Sequence, residues 1–170
     1  MDKMDWKKIL KGNKDIFAQA IEEVKKDTYK VAYCYMHNEN DAMDCVCNAV
    51  EKAFIHLRKL KEPSFFKTWF TRIVINECKA MLRKKKKVLD ISDSLYTENY
   101  MADRLDITDL KWLISQLSKE DRTLIYMKFY LGYTLDEIAQ ILEKPQGTIK
   151  TRIYGNLKKL KNELRIEEVK

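Results

Sequence analysis

The 170-residue chain is poor in the residues that punctuate sheets and loops, with four glycines and two prolines. Strict alternation of apolar and polar residues, which indicates a half-buried strand, is nearly absent. Apolar residues instead recur at intervals of three and four along most of the chain, which is the spacing of one helix face. The sequence therefore predicts an all-α protein.

Long apolar runs are also missing. No stretch approaches the length of a membrane span, and Met1–Trp6 does not contain the apolar core of a secretory signal. We therefore expect a cytoplasmic protein that does not insert into membranes.

Residues that bind metals or perform catalysis are sparse. The chain has two histidines, and none of its four cysteines belongs to a Cys-x-x-Cys pair. We predict buried, reduced thiols and neither a metal site nor a cofactor. These cysteines are Cys34, Cys45, Cys47 and Cys78. The sequence also lacks carboxylates grouped with a histidine, a phosphate-cradling glycine loop and an activated nucleophile, so we predict no catalytic residues and no enzymatic activity.

Positive charge is what the chain has in excess. The net charge of +7 and the pI of about 9.1 favour a polyanionic partner, either nucleic acid or an acidic membrane surface. The basic run Arg83–Lys87 is followed by an acidic, polar stretch with little apolar periodicity, which is typical of a linker. We therefore predict two small helical domains, residues 1–87 and 106–170, joined by a linker at residues 88–105.

The segment from Lys67 to Lys87 is predicted to be one helix with two chemically different faces. Its apolar seam comprises Phe70, Ile73, Val74 and Met81, with Cys78 beside them. Its cationic ridge comprises Arg72, Lys79, Arg83 and Lys86, bordered by Trp69 and Asn76. Such a ridge suits nucleic acid, because cations meet phosphates, an aromatic ring stacks on bases and an amide reaches a base edge. A solvated basic face is the alternative.

Two adjacent aromatic residues, Phe65 and Phe66, precede this helix in a loop broken by Pro63. Neighbouring side chains cannot easily both face one core. One of them is a candidate platform on which a base stacks, and packing of both in the core is the alternative.

Another predicted helix, from about Asp41 to Leu60, has an acidic and polar stripe opposite its apolar face. The stripe comprises Asp41, Asp44, Asn48 and Glu51. Asp41 and Asp44 also fall in the first turn, where carboxylates interact favourably with the helix dipole. Helix stabilisation and docking of a basic protein partner both explain the stripe.

The C-terminal part predicts a helix-turn-helix. Ser118 is suited to cap one helix, Gly132 to end it in the left-handed conformation, and Thr134 with Glu137 to form a capping box. A short helix, a tight turn and a long final helix follow, with the small Ala139 at the expected crossing.

The final helix has an apolar stripe and a polar outward face. The stripe comprises Ile149, Ile153, Leu157, Leu160 and Leu164. The outward face comprises Thr148, Lys150, Thr151, Tyr154 and Lys158, with Arg152 on its flank. Thr148 and the free amides of the first turn can hold phosphates, and the next polar side chains can reach base edges in a major groove. An ordinary helical hairpin with a charged surface is the alternative.

In this order, the motifs resemble the extracytoplasmic-function sigma factors of bacterial RNA polymerase, from about residue 17 to 165. The resemblance rests on Asp41-Ala-Met-Asp44 with Lys52-Ala-Phe54, on Phe66-Lys-Thr-Trp69 with Arg72-Ile73, Asn76 and Leu82-Arg83, and on Tyr133–Ala139 with Gly147–Ile153. In the family these are the polymerase-docking helix, the segment that melts and holds the −10 element, and the −35 reader.

The resemblance implies an alternative sigma factor that binds core RNA polymerase and directs initiation at specific promoters. Its polymerase-binding residues would be Asp41, Asp44, Asn48 and Glu51. Its −10 residues would be Phe65, Phe66, Trp69, Arg72, Asn76, Lys79 and Arg83. Its −35 residues would be Lys128, Thr148, Lys150, Thr151, Arg152, Tyr154 and Lys158. The implied partners are the clamp and flap surfaces of core RNA polymerase, promoter DNA, and an anti-sigma factor, often a membrane-tethered one.

Two positions depart from the family pattern. Cys47 and Asn48 replace a polar pair that usually follows the acidic motif, and Gly155-Asn156 stands where an arginine and an alanine are common. The glycine implies a changed −35 preference or a close backbone approach, at about 1 kcal/mol of helix stability. A free-standing helix-turn-helix regulator, whose first domain senses a ligand or dimerises, is the alternative function.

Overall fold

The computed structural model describes residues 14–60, 62–91 and 113–167. These ranges contain six bounded α-helices, a further helical stretch at residues 113–115, two short 3-10 helices and no β-strand, so the predicted all-α class is confirmed. The described residues divide into two compact units, one built mainly from residues 14–82 and the other mainly from residues 83–139 and 143–167.

The first unit is a small helical assembly. It contains α1 (Lys14–Met36), α2 (Glu39–His56), 3-10 turns at Leu57–Lys59 and Pro63–Phe65, and the part of the long α3 (Phe66–Ile91) that runs up to Leu82. Between α1 and α2 the chain turns at His37, whose φ is 52°. Asn38 then caps α2 by accepting a hydrogen bond from the Asp41 backbone N–H at 3.0 Å. This cap starts α2 slightly before the predicted position.

Small residues let α1 and α2 pack closely. Ala42, Ala49 and Ala53 of α2 are fully buried, as are Val31 and Ala32 of α1. The α-helix ends at His56, earlier than predicted, because the chain tightens into the 3-10 turn and Leu60 is extended, with ψ of 107°. The acidic stripe of α2 therefore lies on a helix whose opposite side is fixed in the core.

Side chains of α3 join it to both preceding helices. Phe66 packs edge-on against Phe17 of α1, with ring centroids 6.4 Å apart. Lys67 Nζ donates to Asp27 Oδ2 of α1 at 2.9 Å, and Lys52 Nζ of α2 donates to Glu77 Oε1 at 2.6 Å. These contacts fix the rotation of α3 about its own axis.

The predicted apolar seam of α3 is fully buried at its centre and partly buried at its edges, where Met81 contacts the buried Cys45. Phe70, Val74 and Cys78 are fully buried, whereas Ile73 and Met81 are only half-buried. Ile75 and Thr71 are buried as well, and the Thr71 hydroxyl donates to the Lys67 carbonyl at 2.8 Å. The core is wider than one narrow stripe because α3 is covered by two helices.

The second unit contains α4 (Lys119–Phe129), α5 (Leu135–Leu142) and α6 (Gln146–Glu167). The predicted caps are confirmed. Ser118 accepts a hydrogen bond from the Asp121 backbone N–H, and Thr134 forms a reciprocal capping box with Glu137. Gly132 has a φ of 71°, the left-handed conformation that favours glycine.

The helix-turn-helix consists of α5 and α6, joined by a tight turn at Glu143, whose φ is 54°. Ala139 is buried, as predicted for the crossing. On α6, Ile149, Ile153 and Leu160 are buried and Leu157 is half-buried. This stripe packs α6 against α4 and leaves the opposite side of α6 exposed.

The cysteine prediction is right in part. All four cysteines lie in described ranges and are free thiols. Cys45 and Cys78 are buried, and burial is the main cause that raises the pKa of the Cys78 thiol. Cys34 is half-buried, and Cys47 is exposed, so the prediction of burial is wrong for Cys47.

Most of the predicted linker, residues 92–105, lies outside the described residues, and α3 continues to Ile91. In the ranges that the structure covers, no helix combines the length and the apolar character of a membrane span. No three His, Cys, Asp or Glu side chains converge there as a metal site.

Candidate nucleic-acid interface

The acidic stripe of α2 is accessible. Asp44, Asn48 and Glu51 are exposed and Asp41 is half-buried. Because α2 buries its other side in the first unit, the stripe is a fixed row of carboxylate and amide groups. The structure therefore brings all four predicted docking residues onto one surface.

Apolar side chains flank this stripe, which sequence reasoning missed. Met43 is 52% exposed and Ile55 is 64% exposed, although both residues are of types that usually pack inside. The sequence indicated this exposure, because Met43 and Ile55 do not fall at the helical spacing of the buried α2 residues. The resulting surface combines negative charge with apolar contact area.

The predicted −10 residues of α3 recur at intervals of three and four on one side of the helix. These are Trp69, Arg72, Asn76, Lys79 and Arg83. Asn76 and Arg83 are exposed and the other three are half-buried. This side lies opposite the buried residues Phe70, Val74 and Cys78, so the structure gathers cations, an aromatic ring and an amide on one accessible face.

Only one of the two adjacent phenylalanines is accessible. Phe65 is 50% exposed in the 3-10 turn, whereas Phe66 is 1% exposed. The Phe66 ring stacks on Phe70 with centroids 6.1 Å apart and contacts Trp69 at 6.0 Å. The assignment of Phe66 to the −10 surface is therefore wrong: this ring belongs to the core and supports Trp69 from beneath.

A basic run lies on α3 beyond this face, toward the C-terminal end of the helix. Lys84, Lys85, Lys86 and Lys87 are all exposed. Consecutive helical residues are about 100° apart around the axis, so these lysines surround this end of α3 rather than forming a stripe. They make the helix cationic on every side.

The outward face of α6 carries the predicted −35 residues. Thr148, Lys150, Thr151, Tyr154 and Lys158 are all exposed. Tyr154 is 54% exposed, an unusual position for a large aromatic side chain without a partner surface. Lys128 lies apart from them on α4, where its Nζ is 3.5 Å from the Tyr133 carbonyl.

Gly155 leaves a gap beside Tyr154. A Cβ built at Gly155 would meet no atom within 4 Å among the described residues. Close approach of this chain's own backbone is therefore not the reason for the glycine. The space faces outward, next to the predicted reading residues.

Arg152 does not point to the same side of α6 as the exposed −35 residues. Its Nε donates to Asp121 Oδ1 at 2.9 Å and its Nη1 donates to Glu120 Oε2 at 2.9 Å. The side chain is 27% exposed, between α6 and the first turn of α4. The prediction that Arg152 reaches base edges is therefore wrong for this structure, because both ends of its guanidinium already bind carboxylates.

Further polar residues complete this contact. Lys144 Nζ donates to Glu120 Oε2 at 3.3 Å, and Ser118 Oγ donates to Asp121 Oδ2 at 2.8 Å. The Asn156 side chain is buried beside this contact and lowers the pKa of Asp121. Sequence reasoning did not connect these residues, because they are distant along the chain. One feature of the sequence indicated a polar contact here: Asn156, a polar residue, falls at the helical spacing of the buried α6 residues.

These contacts lower the pKa values of both carboxyl groups. For Glu120, the hydrogen bond from Arg152 is the largest cause and lowers the pKa. For Asp121, burial would raise the pKa, but hydrogen bonds from Ser118 and Asn156 and the interaction with Arg152 outweigh it. Both groups therefore remain ionised partners of Arg152 at neutral pH.

The sequence matches models of known protein families. The chain matches the family model of sigma-70 region 2 over residues 20–88 and that of sigma-70 region 4 over residues 109–160. It is 30% identical over 158 residues to RNA polymerase sigma factor SigV of Bacillus subtilis (strain 168), covering 92% of this chain and 95% of SigV. It is 28% identical to ECF RNA polymerase sigma factor SigW of the same organism, covering 94% of each chain.

Solved structures share the fold. The sigma factor RpoE of Bartonella quintana, crystallised with the anti-sigma factor NepR, has a TM-score of 0.72 and 24% identity, covering 88% of this chain and 97% of that one. CnrH, in complex with the cytosolic domain of CnrY, has a TM-score of 0.68 and 18% identity over 95% of each chain. The relatives span nearly the whole chain, and both family models match. The chain therefore belongs to the sigma-70 family as an extracytoplasmic-function sigma factor, a class of protein that directs RNA polymerase to promoters.

Proposed function

We propose that this sigma factor assigns three tasks of initiation to three of its helices. The acidic stripe of α2 docks on the clamp of core RNA polymerase, the polar face of α3 holds the melted −10 element, and the outward face of α6 reads the −35 element. The observation that carries the proposal is the exposed face of α3, which presents Trp69, Asn76 and three cations opposite a fully buried side.

Docking through α2 follows from its surface chemistry. The carboxylates attract a basic helical surface, and the exposed Ile55, one turn after Glu51, adds apolar area to the stripe. Charge steers and orients such an encounter, whereas apolar burial contributes most of the affinity. An acidic surface on a protein of net charge +7 would repel DNA locally, which favours a protein as its partner.

Capture of single-stranded bases on α3 is energetically feasible. Opening duplex DNA costs roughly 1.4 kcal/mol per base-pair step in lost stacking. Stacking one base on an aromatic side chain returns about 1–3 kcal/mol. Phe65 and Trp69 are the accessible aromatic residues of this region, so they can offset the opening of a few steps. Arg72, Lys79 and Arg83 add attraction to phosphates.

Duplex reading by α6 follows from its exposed polar face. The width of a major groove admits one helix. Thr148 lies in the first turn, near backbone amides that favour phosphate, and Thr151 and Tyr154 lie farther along, toward the base edges. Lys158, farther along α6, supplies positive charge near the DNA phosphates that lie beyond the base edges.

Control by an anti-sigma factor is part of the proposal. The solved relatives RpoE and CnrH are bound to NepR and to the cytosolic domain of CnrY. We propose that an inhibitor of this kind, tethered to a membrane, also binds the present chain. We further propose that the second unit contacts the flap of the polymerase. The protein itself would act in the cytoplasm as a binding factor without chemistry of its own.

The first test is run-off transcription with core polymerase, the full chain and a genomic promoter library. We expect transcripts from a limited set of promoters that share −10 and −35 sequences. Duplex binding by the chain alone, with no transcript and no polymerase binding, would favour the free-standing regulator instead.

Asp44→Arg tests the docking surface. The substitution places a cation in the acidic stripe, so affinity for core polymerase should fall at least about tenfold, as for the loss of an interfacial charge pair. Glu23→Arg, a matched charge reversal at an exposed position of α1, is the control and should bind normally. Equal affinities of the two variants, measured by fluorescence anisotropy, would remove Asp44 from the interface.

A further inference from the structure

The contact between α4 and the reading helix α6 is more elaborate than helix packing requires. Asp121 accepts hydrogen bonds from Ser118 and Arg152, and the buried Asn156 side chain lies beside it. Arg152 also binds Glu120, and Lys144, at the turn before α6, binds the same carboxylate. Several groups of α6 and its preceding turn thus converge on two adjacent carboxylates.

The spacing of these groups determines what they can control. Arg152 and Asn156 are four residues apart, so they lie one turn apart on the same side of α6. Arg152 binds Asp121, which is fixed at the start of α4 by the Ser118 cap, and it also binds the adjacent Glu120. Two carboxylates held by one guanidinium, with Asn156 buried beside them, oppose rotation of α6 about its axis.

Apolar packing alone would fix α6 less firmly. The apolar stripe of α6 consists of Ile149, Ile153 and Leu160, with Leu157 only half-buried. Apolar contacts are not directional, whereas the planar fork of a guanidinium binds carboxylates in a defined geometry. Rotation of α6 by a small angle would redirect Thr151 and Tyr154, and the directional ion pairs of Arg152 oppose such a rotation.

We propose that Asp121, Arg152 and Asn156 form a clamp that sets the rotation of α6 and thereby the sequence preference at the −35 element. Arg152 is a positioning residue, not a base reader. Asn156 lies one turn beyond Arg152 and extends the clamp. The adjacent Gly155 has no side chain, so reading depends on the orientation of Thr151 and Tyr154. This inference rests on the proposed reading of −35 DNA by α6.

The test is sequence selection by the full chain with core polymerase, from duplex DNA randomised upstream of a fixed −10 element. The variants are Asp121→Asn, Arg152→Lys and their combination. Lysine keeps the charge of Arg152 but not its fork, so attraction to phosphates is retained. Glu163→Gln, a carboxyl-to-amide change at an exposed position of α6, is the matched control.

The clamp predicts that Asp121→Asn and Arg152→Lys lower the preference for the selected site over scrambled DNA by about tenfold each, the size of one lost base contact. The loss should be spread over several base pairs, and the double variant should be no worse than either single one. Binding to scrambled DNA and its salt dependence should not change, and far-UV circular dichroism should show a folded chain at the assay temperature.

Direct reading by Arg152 gives a different result. Arg152→Lys would then relax preference at a single base pair, and Asp121→Asn would leave preference intact or sharpen it by freeing the guanidinium. That pattern would overturn the clamp while leaving the proposed −35 reading in place. A wild-type chain that selects no upstream sequence would contradict the proposed function itself, and the clamp with it.

Discussion

Adjacent phenylalanines before α3 have opposite environments. Phe65 is 50% exposed, whereas Phe66 is 1% exposed and contacts Phe17, Phe70 and Trp69. The sequence left open whether both rings pack in the core or one stacks on a base, and it could not tell which one enters the core. That choice depends on Phe66 being the first residue of α3, four positions before the buried Phe70.

Phe66→Ala and Phe65→Ala should therefore have opposite effects on stability and activity. Phe66→Ala should lower the free energy of unfolding by about 3–5 kcal/mol, because it leaves a cavity in the core. Phe65→Ala should change stability by less than about 1 kcal/mol and should reduce promoter opening. Urea unfolding and run-off transcription measure the two effects. A stability loss for Phe65→Ala equal to that of Phe66→Ala would contradict these environments.

Glu120 and Asp121 give the second unit a dependence on pH. Their pKa values are lowered in the folded chain, mainly through Arg152 for Glu120 and through Ser118 and Asn156 for Asp121. A carboxyl group whose pKa is lower in the folded chain than in the unfolded chain stabilises the fold at pH values above the unfolded-state pKa. This stabilisation is lost as the pH falls through the folded-state pKa. The second unit should therefore weaken in the acid range below about pH 5.

Hydrogen exchange of the α6 amides in the full chain, followed from pH 7 down into this range, measures the effect after correction for intrinsic exchange. Arg152→Gln removes the main partner of Glu120 and should reduce the pH dependence. Glu163→Gln, whose carboxyl group is exposed, should retain it. Protection of α6 that does not vary with pH in the wild-type chain would show that the two carboxylates do not support the unit.

At the scale of single elements, two glycines of the second unit have opposite conformational roles. Gly132 has a φ of 71° at the turn before α5, whereas Gly155 lies inside α6 with open space around its Cα. Gly132→Ala should lower the free energy of unfolding by about 1–2 kcal/mol, the cost of a left-handed non-glycine residue. Gly155→Ala should raise it by about 0.5–1 kcal/mol, because alanine favours the helix. Thermal unfolding compares them, and a shift of the same sign for both would contradict the assigned conformations.

Helix ends and helix faces were the elements that local sequence predicted well. The cap at Ser118, the capping box of Thr134 and Glu137, and the left-handed Gly132 each depend on residues within one turn. The ion pairs Lys67–Asp27 and Lys52–Glu77, and the contacts of Arg152, join residues far apart in sequence. A single sequence shows the charges of such residues but not which pairs meet, so Arg152 was assigned to DNA.

At the scale of the whole molecule, charge is distributed by task. The chain carries a net charge of +7, yet its proposed polymerase surface on α2 is acidic and its proposed DNA surfaces on α3 and α6 are basic or polar. The sequence predicted this partition, because helical period alone places these residues on outward faces. The exposure of Met43 and Ile55 was missed, although neither position matches the helical period of the buried α2 residues. The limits of the two domains and of the linker stay predictions.

Promoter opening tests this division of tasks most directly. The assay uses core polymerase, the full chain and a promoter with 2-aminopurine in the −10 element, a base analogue that brightens when unstacked. Trp69→Ala should leave promoter binding nearly intact but lower the open fraction of bound complexes about tenfold, the value of one lost stacking contact. Tyr154→Ala should weaken binding to the −35-containing duplex and leave the open fraction of bound complexes unchanged. Equal open fractions for Trp69→Ala and the wild-type chain would contradict the account.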